Sequence, residues 1–200
     1  MCGIIAVVRR TPSRAPVPAG PLVERLAGVE PLLAGGDARR RRLEEAAATL
    51  EEVDGALRGV PGLRTLWDDR AAVPRIEALV QALTTRAAAV EGELDDVHHV
   101  VAPAELEATN AALIRVKDAL WAIGRDRLRA VEQVAALSDG DAAPAGLAVV
   151  LSLHQALSAL DRLEARGRDS AGLEVQLTGH GLDPSDPAVA RALDARRHPT

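Results

Sequence analysis

The sequence predicts an α+β chain that is mainly helical by residue count. A short β-branched run, Cys2-Gly3-Ile4-Ile5-Ala6-Val7-Val8, opens it and reads as a buried strand. Leu173, Val175 and Leu177 alternate with Glu174 and Gln176, as in a half-buried strand. Between them, from Leu43 to Ala135, apolar residues recur every three and four positions, the rhythm of helices with narrow seams.

After the first strand, Pro12, Pro16, Pro18 and Pro21 make Thr11 to Pro21 a semi-rigid extended linker. A weak helix is expected from Pro21 to Leu33, closed by Gly35-Gly36. Leu43, Ala46, Leu50, Val53, Leu57 and Val60 form the first heptad seam, with Asp37 as its cap and Gly59 as its stop. Val73, Ile76, Val80, Leu83, Ala87, Val90, Leu94, Val97 and Val101 form the second, capped by Asp68 or Asp69. Pro103 ends it and opens the third segment, which runs to about Ser138. There Leu106, Leu113, Val116, Leu120 and Ile123 hold the seam, Arg127 breaks it, and Leu128, Val131 and Ala135 resume one step later; such a shift alters the local winding. Short joints predict an antiparallel, coiled-coil-like bundle. Asp139 to Gly146 is a turn-rich linker, followed by a helix with Val150, Leu153, Leu157, Leu160 and Leu163 on its apolar face, stopped at Arg166-Gly167. The strand at 171–178 and a short helix from about Asp186 to Ala195, capped by Ser185 or Asp186, complete the chain.

Composition narrows the function. The 200 residues are 48% hydrophobic and 26% charged, as in a globular chain with a sizeable core. A net charge of −5 argues against a general nucleic-acid binder. With no Phe or Tyr, only Trp67 and Trp121 remain, too few for a stacking platform. The single cysteine, Cys2, excludes an internal disulfide and a cysteine-based zinc cluster and suits the reducing cytoplasm. No apolar run reaches the roughly 20 residues of a membrane helix. Ile4 to Val8 is too short for a secretory signal, and Arg9 and Arg10 follow it instead of preceding it. No metal or other cofactor is expected.

Two separated pieces carry chemistry. The first is Met1-Cys2-Gly3-Ile4-Ile5. Removal of Met1 would leave the Cys2 thiol on the same residue as a free α-amine. With an amine pKa of roughly 8 and a thiol pKa of roughly 8.5, the amine can take the thiol proton near neutral pH. One residue then supplies both nucleophile and base. The second piece, Arg166-Gly167-Arg168-Asp169-Ser170-Ala171-Gly172, suits a turn leading into a strand beside that nucleophile. Gly167 permits an unusual backbone conformation, Asp169 and Ser170 can satisfy turn donors, Gly172 allows close approach, and Arg166 supplies a fixed charge.

Together these residues resemble the class II, N-terminal-nucleophile glutamine amidotransferases. Within them, Arg166-Gly167 followed by Asp169-Ser170-Ala171-Gly172 is most similar to the glutamine–fructose-6-phosphate aminotransferase (isomerizing), or glucosamine-6-phosphate synthase, family. The resemblance covers roughly 2–10 and 147–178. It implies that Cys2 attacks the side-chain amide of glutamine, that ammonia leaves a glutamyl thioester, and that water releases glutamate. It further implies a four-layer αββα sandwich containing both strands, and delivery of the ammonia to sugar-isomerase domains expected beyond Thr200. Those domains would convert fructose 6-phosphate to glucosamine 6-phosphate, and the complete enzyme is allowed to be a homodimer. On this reading residues 1–10 and 147–200 form a partial amidotransferase domain, and 11–146 is a helical insertion with a Pro-rich lead-in.

The sequence departs from the family in three ways. Arg168 stands where an aromatic is usual. The helical block replaces a short connection. The glutamine-clamping Arg-Trp-Ala-Thr-His-Gly segment and the Asn-Gly oxyanion pair have no counterpart. The expectation is therefore an N-terminal portion of an enzyme, inactive alone, since one missing oxyanion donor costs about 10²–10³ in rate. The alternative reading is a helical structural or partner-binding module on a non-catalytic remnant.

Blander assignments cover the rest. Asp95-Asp96-Val97-His98-His99, with Glu91, reads as a solvated helix end, not a metal site, and Arg39 to Arg42 as an ion-paired face. Trp67 and Trp121 read as seam or bundle-end fillers, and His154 as a polar flank of its helix.

Overall fold

The short-joint heptads fold as long helices that hide their seams from water. A computed structural model describes residues 4–10, 12–34, 38–97, 102–163, 172–176, 178–179 and 181–197. They fall into two units, Met1–Arg166 and Gly167–Thr200.

In the first unit, α1 (Ala19–Ala27) and the short α2 (Glu30–Leu33) take the place of the single helix expected at 21–33; the break is at Gly28-Val29. The helix α3 (Arg39–Leu57) buries Leu43, Ala46, Ala47, Leu50, Val53 and Leu57. It follows Ala38, which is left-handed at φ 55°; Asp37, the expected cap, lies outside the described residues. The 26-residue α5 (Ala72–Val97) buries Ala72, Ile76, Val80, Leu83, Ala87, Val90 and Leu94. Asp69 starts it, its Oδ1 accepting from Ala72 N at 3.2 Å. Pro103 opens α6 (Pro103–Trp121), where the missing N–H costs nothing.

The α6 helix runs into a π-helical segment, Ala122–Leu128, and then α7 (Arg129–Leu137) without a break in the helical backbone. The seam shift at Arg127 thus takes physical form as a widened turn, with Ile123 and Leu128 buried at its ends. The α7 helix closes in a Schellman turn: Asp139 is left-handed at φ 50°, and Gly140 N donates to Ala135 O at 2.8 Å.

Ion pairs between helices give their directions. Arg40 meets Glu105, Arg115 meets Glu51 and Arg127 meets Asp54, so α3 and α6–α7 run parallel. Lys117 meets Glu91, while Gly124 lies against Val80, so α5 runs antiparallel to α6. Arg25 meets Glu52 and Arg42 meets Pro31 O, so α1–α2 is antiparallel to α3. The helices form a four-cornered bundle in the order α1, α3, α6, α5. The expected antiparallel succession holds along the chain from α3 to α5 to α6. The most extensive contact, however, is between the parallel pair α3 and α6.

A helix the heptads did not announce, α4 (Gly59–Asp68), follows α3. Gly59, read as a stop, is left-handed at φ 67° and turns the chain straight into it. Gly62 faces the Leu57 backbone so closely that a Cβ would lie 2.0 Å from its carbonyl. Thr65 of α4 is buried and pins the Pro-rich linker, accepting from Val17 N at 3.2 Å and donating to Val17 O at 2.8 Å.

The α8 helix (Pro144–Leu163) packs on α7 and α4. Leu147 and Leu151 are buried, Val150, Leu153 and Leu160 are half-buried, and Leu157 is exposed. Its buried face is therefore turned from the expected one.

The α+β expectation is corrected: among the described residues there are helices and no strand, so the fold is all-α. The αββα sandwich is not formed by them. Residues 4–10 are irregular; Ile4 is 95% and Val8 87% exposed. Residues 172–176 are irregular and exposed as well. A β-branched or alternating run becomes a strand only when a neighbour pairs its N–H and C=O groups, and these segments have no such ladder. In the second unit α9 (Pro187–Arg197) begins as expected at Asp186, whose Oδ1 accepts from Ala188 N at 2.7 Å.

Candidate functional site

The N-terminal segment meets α8 through one side chain, Arg9, which follows the first motif. Arg9 Nε donates to Ser152 Oγ and Arg9 Nη2 to Gln155 Oε1, both at 2.6 Å. Ser152 Oγ in turn donates to Ala148 O at 2.8 Å. Burial holds the Arg9 guanidinium below its ordinary pKa. The contact spans 143 residues of sequence and fastens the N-terminal segment to the helix that leads into the second motif. Cys2, Arg166, Gly167, Asp169 and Ser170 lie outside the described residues. Gly172 is described, in exposed irregular chain of the second unit.

The bundle end beside α8 holds polar residues that the heptad reading passed over. Asp54, in the seam of α3, is 3% exposed. It accepts from Arg58 Nε at 2.8 Å, from Arg58 Nη2, and from Arg127 Nε at 2.8 Å. The π segment brings Arg127 inward to this carboxylate. A charge breaking a heptad was the signal, and Asp54, one residue after Val53, was its counterpart. His154 and Ser158, one turn apart on α8, touch at 3.4 Å. Burial first, then the Arg129 charge, keeps the His154 pKa below 6.5. His154 is thus a half-buried polar flank of α8. Trp121 is 59% exposed, which corrects its reading as a filler. Trp67 is half-buried, with the Arg70 guanidinium 3.7 Å from its ring centre.

The remaining constellations are ordinary. Arg39 pairs with Glu93 at 2.7 Å, and Arg40 with Glu44 at 2.7 Å and Glu105 at 3.2 Å, so that run is an ion-paired face. Among the described residues no cluster of His, Cys, Asp and Glu could hold a metal ion; His98 and His99 lie outside them. Among the same residues no helix is long and apolar enough to cross a membrane. Comparison with protein-family models, with curated proteins and with solved structures found no match.

Proposed function

We propose that this chain carries the nucleophile of a glutamine-hydrolysing amidotransferase that releases ammonia for transfer to a sugar phosphate. The observation that carries the reading is the pair of motifs, Met1-Cys2-Gly3-Ile4-Ile5 and Arg166 to Gly172. The Arg9 contacts to Ser152 and Gln155 support it, because they tie the segment after the first motif to the helix that precedes the second in sequence. The reading rests on residue chemistry and needs no sheet from the described residues.

In this chemistry the Cys2 amine accepts the thiol proton, and the thiolate attacks the amide carbon of glutamine. The C–N bond breaks as the amine returns a proton to the departing nitrogen, giving ammonia and a glutamyl thioester. Water then cleaves the C–S bond, yielding glutamate and the thiol. The resemblance names fructose 6-phosphate as the acceptor and glucosamine 6-phosphate as the product.

The assay is glutamine-dependent ammonia release by the natural polypeptide that contains this chain. Cys2→Ala should abolish release while the helical circular-dichroism signal stays unchanged. Equal release without the thiol would refute the assignment.

The all-α architecture favours a second reading, in which the bundle is a partner-binding or structural module and the motifs are a remnant. Mass measurement of the native N-terminus separates the two. A retained Met1 leaves Cys2 without its free amine and supports the module.

A further inference from the structure

The polar bundle end forms a groove of about 560 Å³ that the amidotransferase chemistry does not use. Its floor is apolar, with Leu57, Leu63 and Leu151. One wall carries Trp121, Arg125, Arg127 and Arg129, all from the stretch around the π turn. Such turns are rare and concentrate at functional sites.

The three arginines differ in how they are held. Arg127 is anchored by its Nε on buried Asp54, and its Nη1 lies 4.0 Å from Asp126 Oδ2. Its rotamer is therefore already fixed, which lowers the entropic cost of binding a ligand. Arg125 and Arg129 flank it, and their side chains make no hydrogen bond or ion pair to a described residue. Residues 125–129 carry three arginines against one carboxylate, Asp126, and Arg127 is matched by Asp54, so the excess positive charge of this wall sits on Arg125 and Arg129. Asp161 of α8 lines the opposite side and Asp126 stands beside Arg127 on the arginine wall, so the place for an anion is at Arg125 and Arg129, with Arg127 between them. Guanidinium forks suit the several oxygens of a phosphate. Trp121 adds a broad exposed ring face at the edge of the same wall.

We propose that this groove binds a small phosphate monoester built on a ring, with the phosphate on Arg125, Arg127 and Arg129 and the ring against Trp121. The site is independent of the Cys2 chemistry.

Trp67 and Trp121 are the only aromatic residues apart from histidine, so Trp67→Phe leaves Trp121 as the sole indole reporter. Adenosine 5′-monophosphate, ribose 5-phosphate and inorganic phosphate are titrated at constant ionic strength, by fluorescence and by calorimetry on the unaltered chain. At least one ring phosphate should saturate with a Kd below about 1 mM and bind more tightly than inorganic phosphate. Which of the two binds more tightly tells a stacked base from a sugar ring. Arg125→Gln with Arg129→Gln, both exposed on the groove wall, should weaken that binding at least about tenfold. Trp121→Leu should weaken the ring phosphate but not inorganic phosphate, read by calorimetry. No saturation, equal binding of all three probes, or unchanged affinity in the double variant would overturn the proposal.

Discussion

Among the described residues, Asp54 and Arg127 form the least exposed ion pair, with side-chain exposures of 4% and 22%. Desolvation makes such a pair costly to break and cheap to replace. Arg127→Ala should lower the unfolding free energy by about 3 kcal/mol, the low end for a buried pair, because Arg58 remains on Asp54. Asp54→Leu with Arg127→Leu should recover most of that loss, as measured by urea unfolding. A double variant no more stable than Arg127→Ala would show that the pair does more than neutralise itself. His154 gives a pH signature. Its pKa is lowered in the folded chain, so the unfolded chain binds the proton more readily. Stability should therefore fall as pH drops through 6.5 toward the lower folded value, and be unaffected by this group above that window. His154→Gln should flatten that part of the stability–pH curve; an unchanged slope would assign it to the other histidines.

At the scale of elements, the heptads identified α3, α5 and the α6–α7 run, because a three-four rhythm is a direct record of one buried helix face. The caps at Asp69 and Asp186 were legible for the same local reason: a short acceptor bonds the first free N–H groups. The α4 helix was not legible. Gly59, Pro61 and Gly62 resemble a turn, and only the approach of Leu57 explains why glycine stands at position 62. The two strands were over-read, because alternation describes a side-chain pattern and not the neighbour that completes a ladder. For the candidate site, the proposed thiol-amine chemistry of Cys2 rests on the sequence motif alone, since Cys2 lies outside the described residues. The arginine wall was hidden, since it depends on the π turn and on Asp54 lying opposite. Two glycines test the account of α3 and α4. Gly62→Ala should destabilise by about 1–3 kcal/mol, because backbone must move. Gly55→Ala meets nothing within 4 Å inside α3 and should stabilise by about 0.5–1 kcal/mol. Thermal unfolding of both variants reads the contrast, and equal shifts would contradict it.

For the whole molecule, the first unit is a bundle whose cohesion comes from small and branched apolar seams, with Leu26, Val29, Leu50, Val53, Ile76, Val116 and Ile123 fully or nearly fully buried. The surface ion pairs, such as Arg115–Glu51 and Lys117–Glu91, set helix directions more than stability, being worth about 0–1 kcal/mol each. The functional claim lies at the opening of the chain, on Cys2. Its most direct test is covalent. The natural polypeptide is treated with a diazoketone analogue of glutamine and digested, and its N-terminal peptide is weighed. One adduct per chain on a Cys2 that has lost Met1, absent from Cys2→Ala and competed by glutamine, is the expected result. Glutamine hydrolysis by a polypeptide whose Cys2 stays unlabelled would contradict the account.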